Sequence, residues 1–72
     1  MLLSRKREFR IALAIAGINA VDFAKTHSVT RSAVNQVVRG EANSKRINMA
    51  IDDFIYTQFN RVGISPNRSI LP

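Results

Sequence analysis

A chain of 72 residues holds one domain, and a domain this short buries only about 60 % of the surface its unfolded chain exposes. There is no cysteine, which excludes a disulfide framework or a thiolate zinc site as a supplement to a small core. Eleven Lys and Arg against five Asp and Glu give a net charge of +6 and a pI near 11.3, which favours polyanionic partners, nucleic acid ahead of an anionic membrane surface.

The basic start, Met1 to Arg10, is followed by the short apolar run Ile11 to Ile18, far below the roughly 20 residues a membrane span needs. No signal-peptide cleavage pattern accompanies it. A cytoplasmic protein that does not engage a membrane is expected. Glycine sits at 17, 40 and 63 and the first proline is Pro66, the punctuation of successive helices rather than hairpins.

The first helix is predicted over 4–16 from a Ser4 cap, with Phe9, Ala12, Leu13 and Ala16 on one face and Gly17 as its stop. Ile18 then packs as the chain turns. Asn19, with Asp22 three residues on, is an acidic variant of the capping box and opens a second helix over 20–27. Its inner face is Val21 or Ala20 with Phe23, Ala24 and His27, and it stops at Ser28-Val29. Thr30 caps a third helix over 31–39, closed by Gly40. At about 100° per residue, Val34, Val37 and Val38 fall on one side of it. Ser32, Gln36 and Arg39 fall on the other, with Asn35 beside them. Ser44 caps a fourth helix over 45–59, whose apolar positions Ile47, Ala50, Ile51, Phe54, Ile55 and Phe59 follow the helical period. Residues 60–72 lose that period and are read as a flexible tail or the start of a longer chain, leaving 1–59 as the folded unit.

Two short helices joined by about three residues, the second ending in glycine, form the generic helix-turn-helix. In detail, residues 20–40 resemble the λ-repressor-like family, also called Cro or XRE type. Phe23 and Ala24 match its apolar-alanine pair, Val29 its turn hydrophobe, Val34 and Val37 its core positions, and Gly40 its closing glycine. A small side chain at Ala24 lets the two helices cross closely. The first and fourth helices extend the likeness to about residue 59, so the resemblance implies an all-α, compact four-helix DNA-binding domain. Two departures stand out. Ser28 occupies a turn position where the family has glycine in a left-handed conformation, which costs serine on the order of 1 kcal/mol. No fifth helix follows Phe59, the region that carries the dimer contact in many relatives. The phrases SAVNQVVRGE and KRINMAIDDFI look most like small regulators of temperate or Mu-like transposable phages.

The resemblance places Arg31, Ser32, Asn35 and Gln36 where the family presents base-reading side chains to the major groove. Their chemistry suits that role, since Asn and Gln pair bidentately with adenine and Arg with guanine. By composition alone the same residues make an ordinary solvated face. On the wheel Arg31 lies only about 60° from Val34, so it suits a phosphate as well as a base. Arg39 at the helix end either contacts phosphate or complements the helix dipole. Arg5, Lys6 and Arg7 open the first helix, Arg31 the third, and Lys45 and Arg46 the fourth. Cations there oppose the macrodipole by roughly 0.3 to 1 kcal/mol each, a placement that gains phosphate affinity. Thr30, Arg39, Lys45, Arg46 and Arg7 are therefore the candidate DNA-backbone contacts, with surface solubility as the bland reading of Lys45 and Arg46.

Catalysis is not expected. His27, the sole histidine, reads as a half-buried packing residue, and with Asp22 and Ser28 it lacks any further catalytic signature. Adjacent Asp52 and Asp53 project about 100° apart and make a poor metal pair, so no metal, cofactor or small-molecule substrate is expected. Met49 and Tyr56 share a flank of the fourth helix, as rim packing ahead of a dimer contact. The expected function is sequence-specific double-stranded DNA binding as a phage-type transcriptional regulator, as a homodimer on a palindromic site, in the cytoplasm of a bacterial host. The alternative is a protein-interaction module, antitoxin-like or an assembly factor, using the fourth helix and the tail. RNA or membrane-surface binding through charge alone is weaker, because aromatics for stacking are few.

Overall fold

The computed structural model describes residues 4–63, and within them the chain forms four α-helices: α1 (Arg5–Ala16), α2 (Ala20–Thr26), α3 (Arg31–Val38) and α4 (Lys45–Arg61). Each starts where the sequence supplies a capping oxygen. Ser4 Oγ accepts from the Arg7 amide at 3.2 Å, Thr30 Oγ1 from Ala33 at 3.0 Å and Ser44 Oγ from Ile47 at 3.4 Å. At α2 the capping box closes in both directions. Asn19 Oδ1 accepts from the Asp22 amide at 2.9 Å, and Asp22 Oδ2 accepts from the Asn19 amide at 3.4 Å. Each cap satisfies donors that would otherwise lack a partner in the helix and stabilises it by about 1 kcal/mol.

The first three helices also end alike, each with a left-handed residue and two returning backbone bonds. After α1 the Ile18 amide donates to the Leu13 carbonyl and Gly17 to Ala14; after α3 the Glu41 amide donates to Gln36 and Gly40 to Val37. After α2 the Val29 amide donates to Ala24 at 3.0 Å and Ser28 to Lys25 at 3.1 Å. The left-handed residue is glycine at 17 and 40 but serine at 28, where φ is 57°. Ser28 therefore holds the conformation that glycine adopts without penalty.

Three boundaries differ from the sequence expectation. His27 and Arg39 are the C-caps of α2 and α3 rather than their last helical residues, a one-residue shift typical of frayed ends. The fourth helix does not stop at Phe59: it continues through Asn60 and Arg61 and closes at Val62–Gly63. The apolar period ends at Phe59, but two more polar residues extend a formed helix at little cost, and a cation in the last turn suits its dipole. The remainder of the expected tail, 64–72, lies outside the described residues.

The core draws on every helix: Phe9, Ala12 and Leu13 from α1, Phe23 and Ala24 from α2, Val34, Val37 and Val38 from α3, and Ile47, Ile51, Ile55 and Phe59 from α4. Phe9, Phe23 and half-buried Phe54 form an aromatic centre, with ring centroids 5.0 to 6.0 Å apart. Tilted and edge-on geometries of this kind add about 0.5–1.5 kcal/mol per pair beyond area burial. Ala20 rather than Val21 completes the inner face of α2, and on α1 Ala16 is only half-buried while Ile11 and Ile15 flank the core.

Met49 and Tyr56 do not pack at the rim; they are 62 % and 46 % exposed. At about 100° per residue they fall on the side of α4 opposite the Ile47–Ile51–Ile55 row. Two polar features of the interior were not anticipated either. Glu8 is only 1 % exposed and Gln58 9 %, and among the described residues no buried side-chain N or O lacks a hydrogen-bond partner. Arg5 ties α1 to α4, donating to the Asn48 side chain at 2.6 Å and carbonyl at 3.0 Å while pairing with Asp52 at 3.0 Å. Among the described residues no helix is long and apolar enough to cross a membrane.

Candidate nucleic-acid interface

The candidate surface is built on α3, whose short length leaves one buried side and one polar side. Val34, Val37 and Val38 are buried against the other three helices. Ala24, 2 % exposed, lies on the inner face of α2 in the same core. Ser32 and Gln36 stand furthest out, both exposed, and Gln36 Nε2 donates to Ser32 Oγ at 3.4 Å. A bond that long on the surface is weak, so both groups can exchange it for a base edge.

Arg31, Asn35 and Arg39 occupy a different flank. At about 100° per residue their spacing of four turns them toward α1, and there they line a cleft of about 350 Å³ with Lys6, Arg10 and an apolar floor of Phe9, Leu13 and Val38. Asn35 is half-buried within it, and Arg39 reaches Glu41 at 3.3 Å. The four expected base readers thus divide into an outward pair, Ser32 and Gln36, and a cleft-facing pair, Arg31 and Asn35.

The expected backbone contacts divide as well. Thr30 Oγ1 already accepts the Ala33 amide, which leaves its hydroxyl proton for an anion. Lys45 and Arg7 are exposed. Arg46 Nη2 donates to the His27 carbonyl at 3.1 Å across a second cleft, of about 220 Å³, between the α2–α3 turn and α4. That bond uses one of five guanidinium donors and fixes the start of α4 beside the turn. Arg5, one of the three cations opening α1, is turned inward onto Asp52 and Asn48 and does not belong with the solvent-facing set. The half-buried His27 packs its ring on Phe23 at 4.5 Å, as its position in the sequence suggests.

Sequence reasoning missed Arg10. The available signal was its spacing of four from Lys6, which puts the two cations on one stripe of α1 next to Phe9 and Leu13. No family model, curated protein or solved structure matches the chain. The likeness to the helix-turn-helix therefore rests on residues 20–40 themselves.

Proposed function

We propose that the protein binds double-stranded DNA sequence-specifically, with α2 and α3 acting as a helix-turn-helix and α3 entering the major groove. The observation that carries this reading is the composition of α3 and its borders. A short helix with a valine back presents Ser32 and Gln36 outward and Asn35 along the α1 cleft, and exposed cations border it. Short and forked hydrogen-bonding groups read base edges, and cations beside them hold phosphates. Of the candidate readers, Ser32 and Gln36 address bases directly, Asn35 reads from the groove wall, and Arg31 serves a phosphate or an adjacent guanine. Thr30, Arg39, Lys45, Arg46 and Arg7 serve the backbone. Binding rather than catalysis is the role of this surface, and its output is that of a phage-type transcriptional regulator in a bacterial cytoplasm.

A domain this small covers little DNA, so useful specificity calls for two copies on a palindrome with half-site centres about 34–36 Å apart. Selection of sites from random duplex DNA tests the whole reading. The expected result is enriched half-sites in inverted repeat; a pool that stays random overturns it. On a selected site, Gln36→Ala and Asn35→Ala are expected to relax base preference, whereas Lys45→Ala weakens all sequences alike. The exposed Met49 and Tyr56 on α4 favour a second reading, a protein-interaction surface. Amide shift changes on titration with duplex DNA separate the two: changes centred on 30–46 support DNA reading, and an unresponsive spectrum favours the α4 surface.

A further inference from the structure

We infer that the cleft between α1 and α3 seats the sugar–phosphate backbone of a DNA strand, with Lys6 and Arg10 supplying phosphate ligands from outside the helix-turn-helix; this rests on the DNA-binding reading above. Two rows of cations face each other across one depression. Lys6 and Arg10 stand one turn apart on α1, and Arg31 and Arg39 stand eight residues apart on α3, about 6 and 12 Å along their axes. Such an elongated array fits a repeating polyanion better than a single small anion.

Among the described residues the Lys6, Arg10 and Arg31 side chains make no ion pair or hydrogen bond, and no carboxylate lines the cleft. Within the cleft only Arg39 is paired, with Glu41 at 3.3 Å; among the described residues Arg7, Lys25 and Lys45 also make no side-chain bond, and Lys6, Arg10 and Arg31 differ from them in sharing one depression. Arg5, Arg46 and Arg61 all spend donors on internal acceptors, at Asp52 and Asn48, at the His27 carbonyl and at Gln58. Gathering unpaired like charges around an apolar floor costs the free protein self-repulsion, which a polyanion relieves. The floor of Phe9, Leu13 and Val38 also lowers the local dielectric, so each cation–phosphate attraction is stronger there than on an open surface. The apolar edge of the sugar has a surface to lie on.

The test is the salt dependence of duplex affinity, measured by fluorescence anisotropy between about 50 and 200 mM salt. The wild-type chain is compared with the Lys6→Gln/Arg10→Gln double variant, with the two single variants, and with Arg61→Gln at the far end of α4, which matches each single variant in charge. Loss of two phosphate contacts is expected to lower the log–log slope by about 1.8, at about 0.9 per contact, equally for every sequence, while Arg61→Gln keeps the wild-type slope. Circular dichroism checks folding, and the single variants, each expected to lose about 0.9, carry the test if the double variant unfolds. A steep wild-type slope that the double variant retains overturns the cleft assignment alone, as does a loss confined to particular sequences. A flat wild-type response overturns the DNA reading and the cleft with it.

Discussion

The cleft between the α2–α3 turn and α4 and the cleft between α1 and α3 are built over the same aromatic centre and differ in what their cations do. Between the turn and α4, the Arg46 guanidinium reaches the His27 carbonyl, so charge is converted into a strut that holds one element against another. Between α1 and α3, Lys6, Arg10 and Arg31 surround an apolar floor without an internal partner among the described residues. A basic residue therefore reports on binding only after its intramolecular acceptors are known. Net charge gives only the sign of the surface, and the pairing pattern separates cations that serve the fold from those that do not.

The largest expected effect removes what the clefts share. Phe23 lines the turn cleft and touches Phe9, which floors the other, at 5.1 Å. Phe23→Ala is expected to cost about 3–5 kcal/mol, a large part of the total stability of a domain this size, at roughly 0.05–0.15 kcal/mol per residue. Thermal melts should show loss of the cooperative transition at moderate temperature; a melting point near wild type would mean that the clefts do not depend on one core.

A smaller change, of opposite sign, acts on the turn. Ser28 holds φ at 57° in the position that glycine fills after α1 and α3. Ser28→Gly is expected to stabilise by about 1 kcal/mol and to raise the melting temperature by about 4–8 °C. An unchanged or lower melting temperature would reject the left-handed turn.

The finest test compares the cations directly. Arg46→Ala deletes a charged, solvent-exposed hydrogen bond and is expected to lower stability by about 0.5–1 kcal/mol. Arg10→Ala removes a side chain with no internal acceptor among the described residues and relieves self-repulsion in the cleft, so the melting temperature should stay level or rise slightly. Equal losses in the two variants would erase the distinction between strut and free cation, and urea midpoints at constant slope resolve a difference of this size.

Much of the helical frame is legible in the sequence. The capping residues Ser4, Asn19, Thr30 and Ser44 all start helices, because a cap depends on atoms within three residues. The valine back of α3 and the isoleucine row of α4 are buried as their periods require. Ser28 is expected to be left-handed only from the resemblance of residues 20–40, and its φ of 57° agrees with that. The end of α4 is not legible there, since Asn60 and Arg61 carry no apolar signal and are helical by continuation from a packed segment. The exposure of Met49 and Tyr56 follows from the same helical period, which sets them opposite the isoleucine row; the expectation of rim packing gave their apolar character more weight than that period.

The sign of the charge, the number and order of the helices and the polar composition of the face of α3 can all be read from the residues alone. Each follows from residue type and spacings of one to four positions. Which cations are spoken for depends on how the helices dock. Arg5 meets Asp52 and Asn48 across 47 and 43 positions of sequence, and Arg46 meets the His27 carbonyl across 19. The row of Lys6 and Arg10 likewise meets Arg31 and Arg39 only because α1 and α3 pack on one core. Partnership between distant side chains is set by how the helices dock, and local pattern does not carry that information.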